Sequence, residues 1–195
     1  MPYRREFLEC LNLIIAATEE MAALGYARPV LVGGAVVELY TASRITSGDF
    51  DFVTEDQRVF EELLLAKGFI RPSGIGVLQR GLHHPELLMG VEVVSGPVFD
   101  GAVPPDKLDV VLFDAGRLAV ISIEDIIADR MGQYASHEAS NAEILDQAIQ
   151  LFRLASEIDE DYLDQRIRAE TLNTYGSAFL KAEAANYESH SSPGS

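Results

Sequence analysis

Leu31-Val32-Gly33-Gly34-Ala35-Val36-Val37-Glu38-Leu39-Tyr40-Thr41-Ala42-Ser43-Arg44-Ile45-Thr46-Ser47-Gly48-Asp49-Phe50-Asp51-Phe52-Val53 is the most informative stretch of the chain. Pro29 to Val32 is a short apolar strand that ends in two glycines. Ala35 to Ser43 has the apolar spacing of a helix through Val36, Val37, Leu39 and Tyr40. Arg44 to Gly48 is a loop, and Phe50 to Val53 is a second strand. Glycine has no Cβ, so the backbone between strand and helix can approach a phosphate whose charge the helix N–H groups favour. Asp49 and Asp51 stand two apart at a strand entry, which points both carboxylates to one face. Phe50 and Phe52 make the opposite face apolar and hold the strand rigidly. Like charges on one face repel. A hard divalent cation relieves that repulsion, and oxygen ligands suit Mg²⁺. Two such ions about 4 Å apart can clamp the attacking and leaving oxygens of a phosphoryl transfer. A third carboxylate from a neighbouring strand would complete the site.

The flanking sequence predicts an α/β unit followed by helices. Arg5 to Leu24 is an amphipathic helix through Phe7, Leu8, Leu11, Ile14, Ile15 and Met21, stopped by Gly25. Gln57 to Lys67 is a second, stopped by Gly68, and Phe69-Ile70 begins a short strand. Ser73 to Gly81 reads as a glycine-rich hairpin or loop. Gly90 to Val94 is a strand, and Val98 to Pro105 is an irregular connection. Leu108 to Phe113 and Arg117 to Ile121 are strands joined by an Asp114-Ala115-Gly116 turn. Ser122 caps a helix running to about Ser136, with Asp125 three residues on, close to a capping box. Further helices are expected over Asn141 to Ser156 and Asp161 to Leu172. The division expected is an α/β core over residues 1–121, a helical region over 122–188 and a disordered tail over 189–195.

Bulk properties narrow the function classes. A chain of 195 residues, 48% hydrophobic and 24% charged, can bury a real core. No apolar run approaches the roughly 18 residues of a membrane span. Arg4-Arg5 precede an apolar stretch, but Glu19-Glu20 follow without a small-residue cleavage pattern, so the first helix reads as core-facing and the protein as cytoplasmic. With one cysteine, Cys10, there is no disulfide within the chain and no cysteine zinc cluster. A net charge of −16 argues against a broad DNA-binding surface. It favours a small-molecule, protein or tightly localised RNA contact.

Gly33-Gly34 after a strand, then a helix, then Asp49-Phe50-Asp51 on the next strand, resembles the polymerase-beta-like nucleotidyltransferase superfamily. Leu39-Tyr40-Thr41, Arg44 and Ser47-Gly48-Asp49 bring the likeness closer to a bacterial and archaeal subgroup related to the abortive-infection toxin nucleotidyltransferases. Ile121 to Arg130 resembles that subgroup's later element, so the likeness covers roughly residues 28–155. It implies a small mixed sheet with flanking helices and a helical C-terminal region. It implies transfer of a nucleoside monophosphate from an NTP, such as ATP, to a hydroxyl or phosphate acceptor: a small molecule, a protein side chain or an RNA end. It also implies one or two Mg²⁺ ions, or Mn²⁺, held by Asp49, Asp51 and a third acid. Glu92, in Val91-Glu92-Val93, and Asp109, in Leu108-Asp109-Val110, both compete for that place; Glu92 is favoured because Asp109 belongs to a hairpin that leads out of the core unit. Gly33, Gly34, Arg44, Ser47 and Arg130 are the implied nucleotide contacts, although Gly34 stands where many active members carry serine. A non-catalytic binding protein of the same fold and a toxin with an antitoxin-like partner are the alternatives. Arg44 reads equally as a helix C-terminal cation, and Arg130 as half of a surface ion pair with Asp129. His83-His84, followed by Pro85, reads as loop.

Overall fold

A computed structural model of the chain describes residues 3–72, 81–136 and 142–191. It divides into two compact units, Met1–Ile121 and Ser122–Ser195. In the first, helix α1 (Arg5–Ala23) precedes strand β1 (Val30–Val32), helix α2 (Gly34–Tyr40), strand β2 (Asp49–Thr54) and helix α3 (Gln57–Ala66). Strands β3 (Leu82–His84), β4 (Met89–Ser95), β5 (Asp109–Phe113) and β6 (Gly116–Val120) follow, with short 3-10 turns at Val98–Gly101 and Pro105–Lys107. The six strands form one mixed sheet in the order β3-β4-β2-β1-β6-β5. β2 runs antiparallel to β1 and parallel to β4.

The alternation in β2 explains why the sheet has two different faces. Phe50, Phe52 and Thr54 are buried, whereas Asp49 is exposed and Asp51 half-buried. The buried side packs on the apolar stripes of α1 and α3. Phe7 of α1 stacks on Phe50 with ring centroids 5.0 Å apart, and Phe60 of α3 meets Phe52 edge-on at 5.3 Å. Each of these rings is fully buried, and burying one such side chain contributes about 1.5–3 kcal/mol. Two helix rings, Phe7 and Phe60, therefore clamp Phe50 and Phe52 of the strand that carries the two aspartates.

Two local features differ from the sequence expectation, and a third lies almost wholly outside the described residues. Helix α2 stops at Tyr40 because Ala42 and Ser43 adopt left-handed backbone angles, φ 51° and 58°, at positions where no glycine announces them. Leu82–His84 is a strand and not a loop: it pairs antiparallel with β4, and Ile70 exchanges both backbone hydrogen bonds with His83. A three-residue strand is too short for any alternation to register. Of the glycine-rich stretch 73–81, only Gly81 lies within the described residues.

The second unit consists of α4 (Ile123–Ser136), α5 (Ala142–Leu154), α6 (Glu160–Glu170) and α7 (Ser177–Ser191). Met131, Leu151, Leu163, Ile167 and Leu180 are fully buried. The capping box is formed: the Ser122 hydroxyl donates to Asp125 at 2.9 Å, and the Asp125 N–H donates back to Ser122 Oγ at 3.1 Å. Asp125 does more than cap. Its carboxylate is fully buried and also accepts from Arg166 Nε at 2.7 Å and Tyr162 Oη at 3.1 Å, tying α4 to α6. Helix α7 falls mostly within the expected helical region 122–188, where no separate helix was delimited. It runs to Ser191, so the first residues of the expected tail 189–195 continue a helix, and residues 192–195 lie outside the described residues. Among the described residues no helix is long and apolar enough to cross a membrane.

Candidate active site

The parallel register of β2 and β4 pairs Asp49 with Gly90 and Asp51 with Glu92. Alternation puts all three carboxylates on the sheet face opposite the aromatic core. Register partners on adjacent strands lie about 5 Å apart, so Glu92 is the near neighbour of Asp51. Asp109 is not: β1 and β6 intervene between β2 and β5. Its carboxylate is instead engaged by Tyr40, whose hydroxyl donates to Asp109 Oδ2 at 2.9 Å and is also 3.1 Å from the Ile121 carbonyl.

The two glycines of the motif have separate reasons. Gly33 has φ 71°, and a Cβ there would come within 2.2 Å of Asp51 Oδ2. The Asp51 carboxylate thus lies directly over the Gly33 backbone, in a space only glycine leaves open. At Gly34 a Cβ would come within 3.0 Å of Ser47 Oγ. The Ser47 hydroxyl therefore fills the place that a serine side chain at position 34 would use. It donates to the Asp49 carbonyl at 2.9 Å and sits 3.5 Å from Asp49 Oδ1.

A residue that the sequence pattern hides holds this loop in place. Glu38 on α2 is fully buried and collects four donors. Arg4 Nε and Nη2 reach it at 2.7 and 3.0 Å, the Ser43 hydroxyl at 2.8 Å and the Ser47 N–H at 2.6 Å. Arg4 Nη2 also donates to the Ser47 carbonyl. A buried carboxylate this fully hydrogen-bonded is stable only with all its partners in place, so the chain entering β2 is fixed from two sides. Glu38 looked like an ordinary polar position on an amphipathic helix. The only sequence signal for its role was an acid at the centre of an otherwise apolar run, Val36-Val37-Glu38-Leu39.

Arg44 is exposed in the same loop. Arg130 belongs to the second unit, where it is 7% exposed and pairs with Asp129 at 2.5 Å, with Gln147 at 3.5 Å. That is the ion pair the sequence offered as the alternative to a nucleotide contact.

Asp49, Asp51 and Glu92 offer hard oxygen donors, and the missing side chains of Gly33 and Gly90 let Asp51 and Asp49 lie close to the backbone. The donor set fits a magnesium-class cation. Among the described residues, no three His, Cys, Asp or Glu side chains converge on a single point as placed. Like charges on one face repel one another, and a bound cation would draw the three carboxylates together.

No family model matches the sequence, and no curated protein matches it. The fold does have solved counterparts. An antigenic nucleotidyltransferase-like protein from Paracoccidioides brasiliensis superposes with a TM-score of 0.57 at 16% identity, over 89% of this chain and 93% of its own. The antibiotic-resistance factor ANT(2'')-Ia gives a TM-score of 0.47 at 16% identity, over 93% of this chain and 95% of its own. The first likeness shows that this chain has a nucleotidyltransferase-like fold.

Proposed function

We propose that the chain is a metal-dependent nucleotidyltransferase that moves a nucleoside monophosphate from an NTP to an acceptor oxygen. The observation that carries this reading is the single sheet face on which Asp49, Asp51 and Glu92 meet, with the Asp51 carboxylate seated on Gly33. Asp49, Asp51 and Glu92 would hold one or two Mg²⁺ ions, or Mn²⁺. The bound cation supplies charge neutralisation for the phosphates and activation of the attacking oxygen.

The chain's own residues do the rest. Gly33 lets the Asp51 carboxylate, and Gly34 the Ser47 hydroxyl, close on the backbone after β1, where the phosphates would lie. Ser47 supplies the hydroxyl that Gly34 lacks, and Glu38 with Arg4 fixes the Ser47 backbone. Arg44 in the same loop offsets phosphate charge. The acceptor hydroxyl oxygen attacks the α-phosphorus, the bridging bond to the β-phosphate breaks, and pyrophosphate leaves with the bonding electrons. Glu92 receives the hydroxyl proton. Placement is the larger part of such catalysis, since phosphoryl transfer needs little covalent chemistry from the protein.

A second reading rests on Gly34, which stands where many active members of the resembled superfamily carry serine: a non-catalytic protein of this fold that binds a nucleotide or a protein partner. A toxin acting in the cytoplasm beside an antitoxin-like partner is a biological setting for the first reading. Incubating the purified chain with each α-labelled NTP, Mg²⁺ and fractions of small molecules, protein and RNA tests the choice. Label transferred with pyrophosphate release, and lost in Asp51→Asn, supports the enzyme. Bound nucleotide with no transfer to any fraction supports the binding protein.

A further inference from the structure

The two edges of the sheet differ. At one edge β3 is three residues long, and Ile70 exchanges both backbone hydrogen bonds with its middle residue, His83. At the other, β5 is the outermost strand among the described residues and reads Asp109-Val110-Val111-Leu112-Phe113. An open edge is normally blunted by Lys, Pro, a bulge or a covering segment. β5 has no Lys and no Pro, and its register with β6 is unbroken from end to end. Val111 stands opposite Leu118, which is fully buried, so Val111 faces the core side and Val110 and Leu112 the other face. Those two side chains are 59% and 76% exposed. On the core side a groove of about 340 Å³ lies beside the same edge, with Tyr3, Leu8, Val111 and Phe113 among its lining residues. The strand is therefore apolar on both faces at an edge that no described strand covers.

Hairpin geometry identifies the open backbone groups. Asp114-Ala115 is a two-residue loop closed by Phe113 and Gly116, and the pair that closes such a loop is hydrogen-bonded. Bonded and non-bonded pairs alternate along an antiparallel ladder. Val111 and Asp109 therefore also bond to β6, whereas Val110 and Leu112 turn their N–H and C=O groups outward. These two residues are symmetric about Val111. An antiparallel strand of the same sequence, centred on Val111, sets Val110 opposite Leu112 of the second copy, and the reverse. That register pairs every one of the outward groups and stacks exposed valine on exposed leucine on one face. A slip of one residue loses both matches. Charge agrees as well: Lys107 precedes the strand and Asp114 follows it, so antiparallel pairing brings the Lys107 end of each copy to the Asp114 end of the other. The Asp109 carboxylate is held by the Tyr40 hydroxyl of its own copy. We propose that the β5 edge is a self-association surface, through which two copies of this chain pair about a two-fold axis at Val111 and join their sheets. The proposal is independent of the nucleotidyltransferase reading. Five strand residues per copy are few beside the roughly 20–30 residues a side of a standard interface, so the dimer should dissociate on dilution.

Sedimentation velocity of the full chain over a range of concentrations tests the association. The expected result is a monomer–dimer equilibrium that shifts to monomer in Leu112→Lys, with the thermal transition intact because the side chain is exposed. Cysteine cross-linking tests the register. Position 111 meets itself across the axis in a non-hydrogen-bonded pair, whose Cα atoms lie about 4.5 Å apart, within disulfide reach. Position 112 meets position 110, which leaves the two Cα atoms at 112 about 8 Å apart, beyond it. Under diamide, Val111→Cys should give a disulfide-linked dimer, and the more exposed Leu112→Cys should not. Cys10 is the only native cysteine and is fully buried, so cross-linking reports the introduced thiol. A chain that is monomeric at every concentration overturns the proposal and leaves the edge to a foreign strand. A dimer that survives Leu112→Lys, no cross-link at position 111, or equal cross-linking at 111 and 112 overturns it too.

Discussion

The backbone N–H of Ser47 donates a 2.6 Å hydrogen bond to Glu38, a carboxylate with no solvent exposure. Two residues later the chain enters β2 at Asp49. The stability of a buried ion pair and the placement of the candidate metal ligands are therefore coupled. Glu38→Ala would leave Arg4 partly buried and unpaired, at a cost of about 3 kcal/mol. Hydrogen exchange at the Ser47 amide should accelerate more than exchange in α1. Unchanged protection at Ser47 would show that the loop is held by something else.

Gly33 adopts φ 71° with ψ −152°, a region essentially reserved for glycine, and strain there costs on the order of 1–3 kcal/mol. Gly33→Ala also drives a Cβ into Asp51 Oδ2, 2.2 Å away. The variant should lose thermal stability and should lose Mg²⁺-dependent nucleotide binding by a larger factor than the stability loss accounts for. Differential scanning calorimetry and titration calorimetry on the same sample separate the two effects.

Burial pushes the Cys10 thiol up to about 12. Since the thiolate is the reactive species, almost none of it is present at pH 8. Ellman's reagent should find no reactive thiol in the native chain and one per chain after unfolding in guanidinium. Rapid reaction of the native protein would show that α1 does not bury this face.

The Glu19 carboxyl is held below its ordinary value of 4.5, chiefly by the Arg117 N–H and then by the Arg28 guanidinium. In this window the unfolded chain binds the proton more readily than the folded one, so stability rises with pH. The contribution is complete above 4.5 and is lost as pH falls through the lower folded value. Glu19→Gln should therefore flatten the acid side of the stability profile below pH 4.5 and leave its slope near neutrality unchanged, as urea titrations across pH would show.

Much of this arrangement could be read from residue order. The alternation of Asp49, Phe50, Asp51 and Phe52 announced both the strand and its two faces, because a half-buried strand imposes period two on sequence. Glu92 was favoured over Asp109 because Asp109 falls in a hairpin leading out of the core unit; the pairing of Glu92 with Asp51 depends on a parallel crossover that no local pattern encodes. Glu38 and Arg4 were missed for a related reason. They are 34 positions apart, and a long-range ion pair leaves no local trace beyond one acid among apolar neighbours. His83 was read as loop because β3 is three residues long, and its strand character comes from partners on both sides. Helix α7, starting at Ser177, lacks a strong apolar stripe, so its helicity rests on tertiary packing through Leu180 and Ala184.

The proposed function requires Asp49 and Asp51 to form a cation-dependent nucleotide site. Titration calorimetry of the full chain with each NTP, with and without Mg²⁺, beside the Asp49→Ala/Asp51→Ala double variant, tests it most directly. The predicted result is binding that requires Mg²⁺ and disappears in a double variant whose thermal transition is intact. Nucleotide binding that is indifferent to Mg²⁺ and retained by the double variant would contradict it.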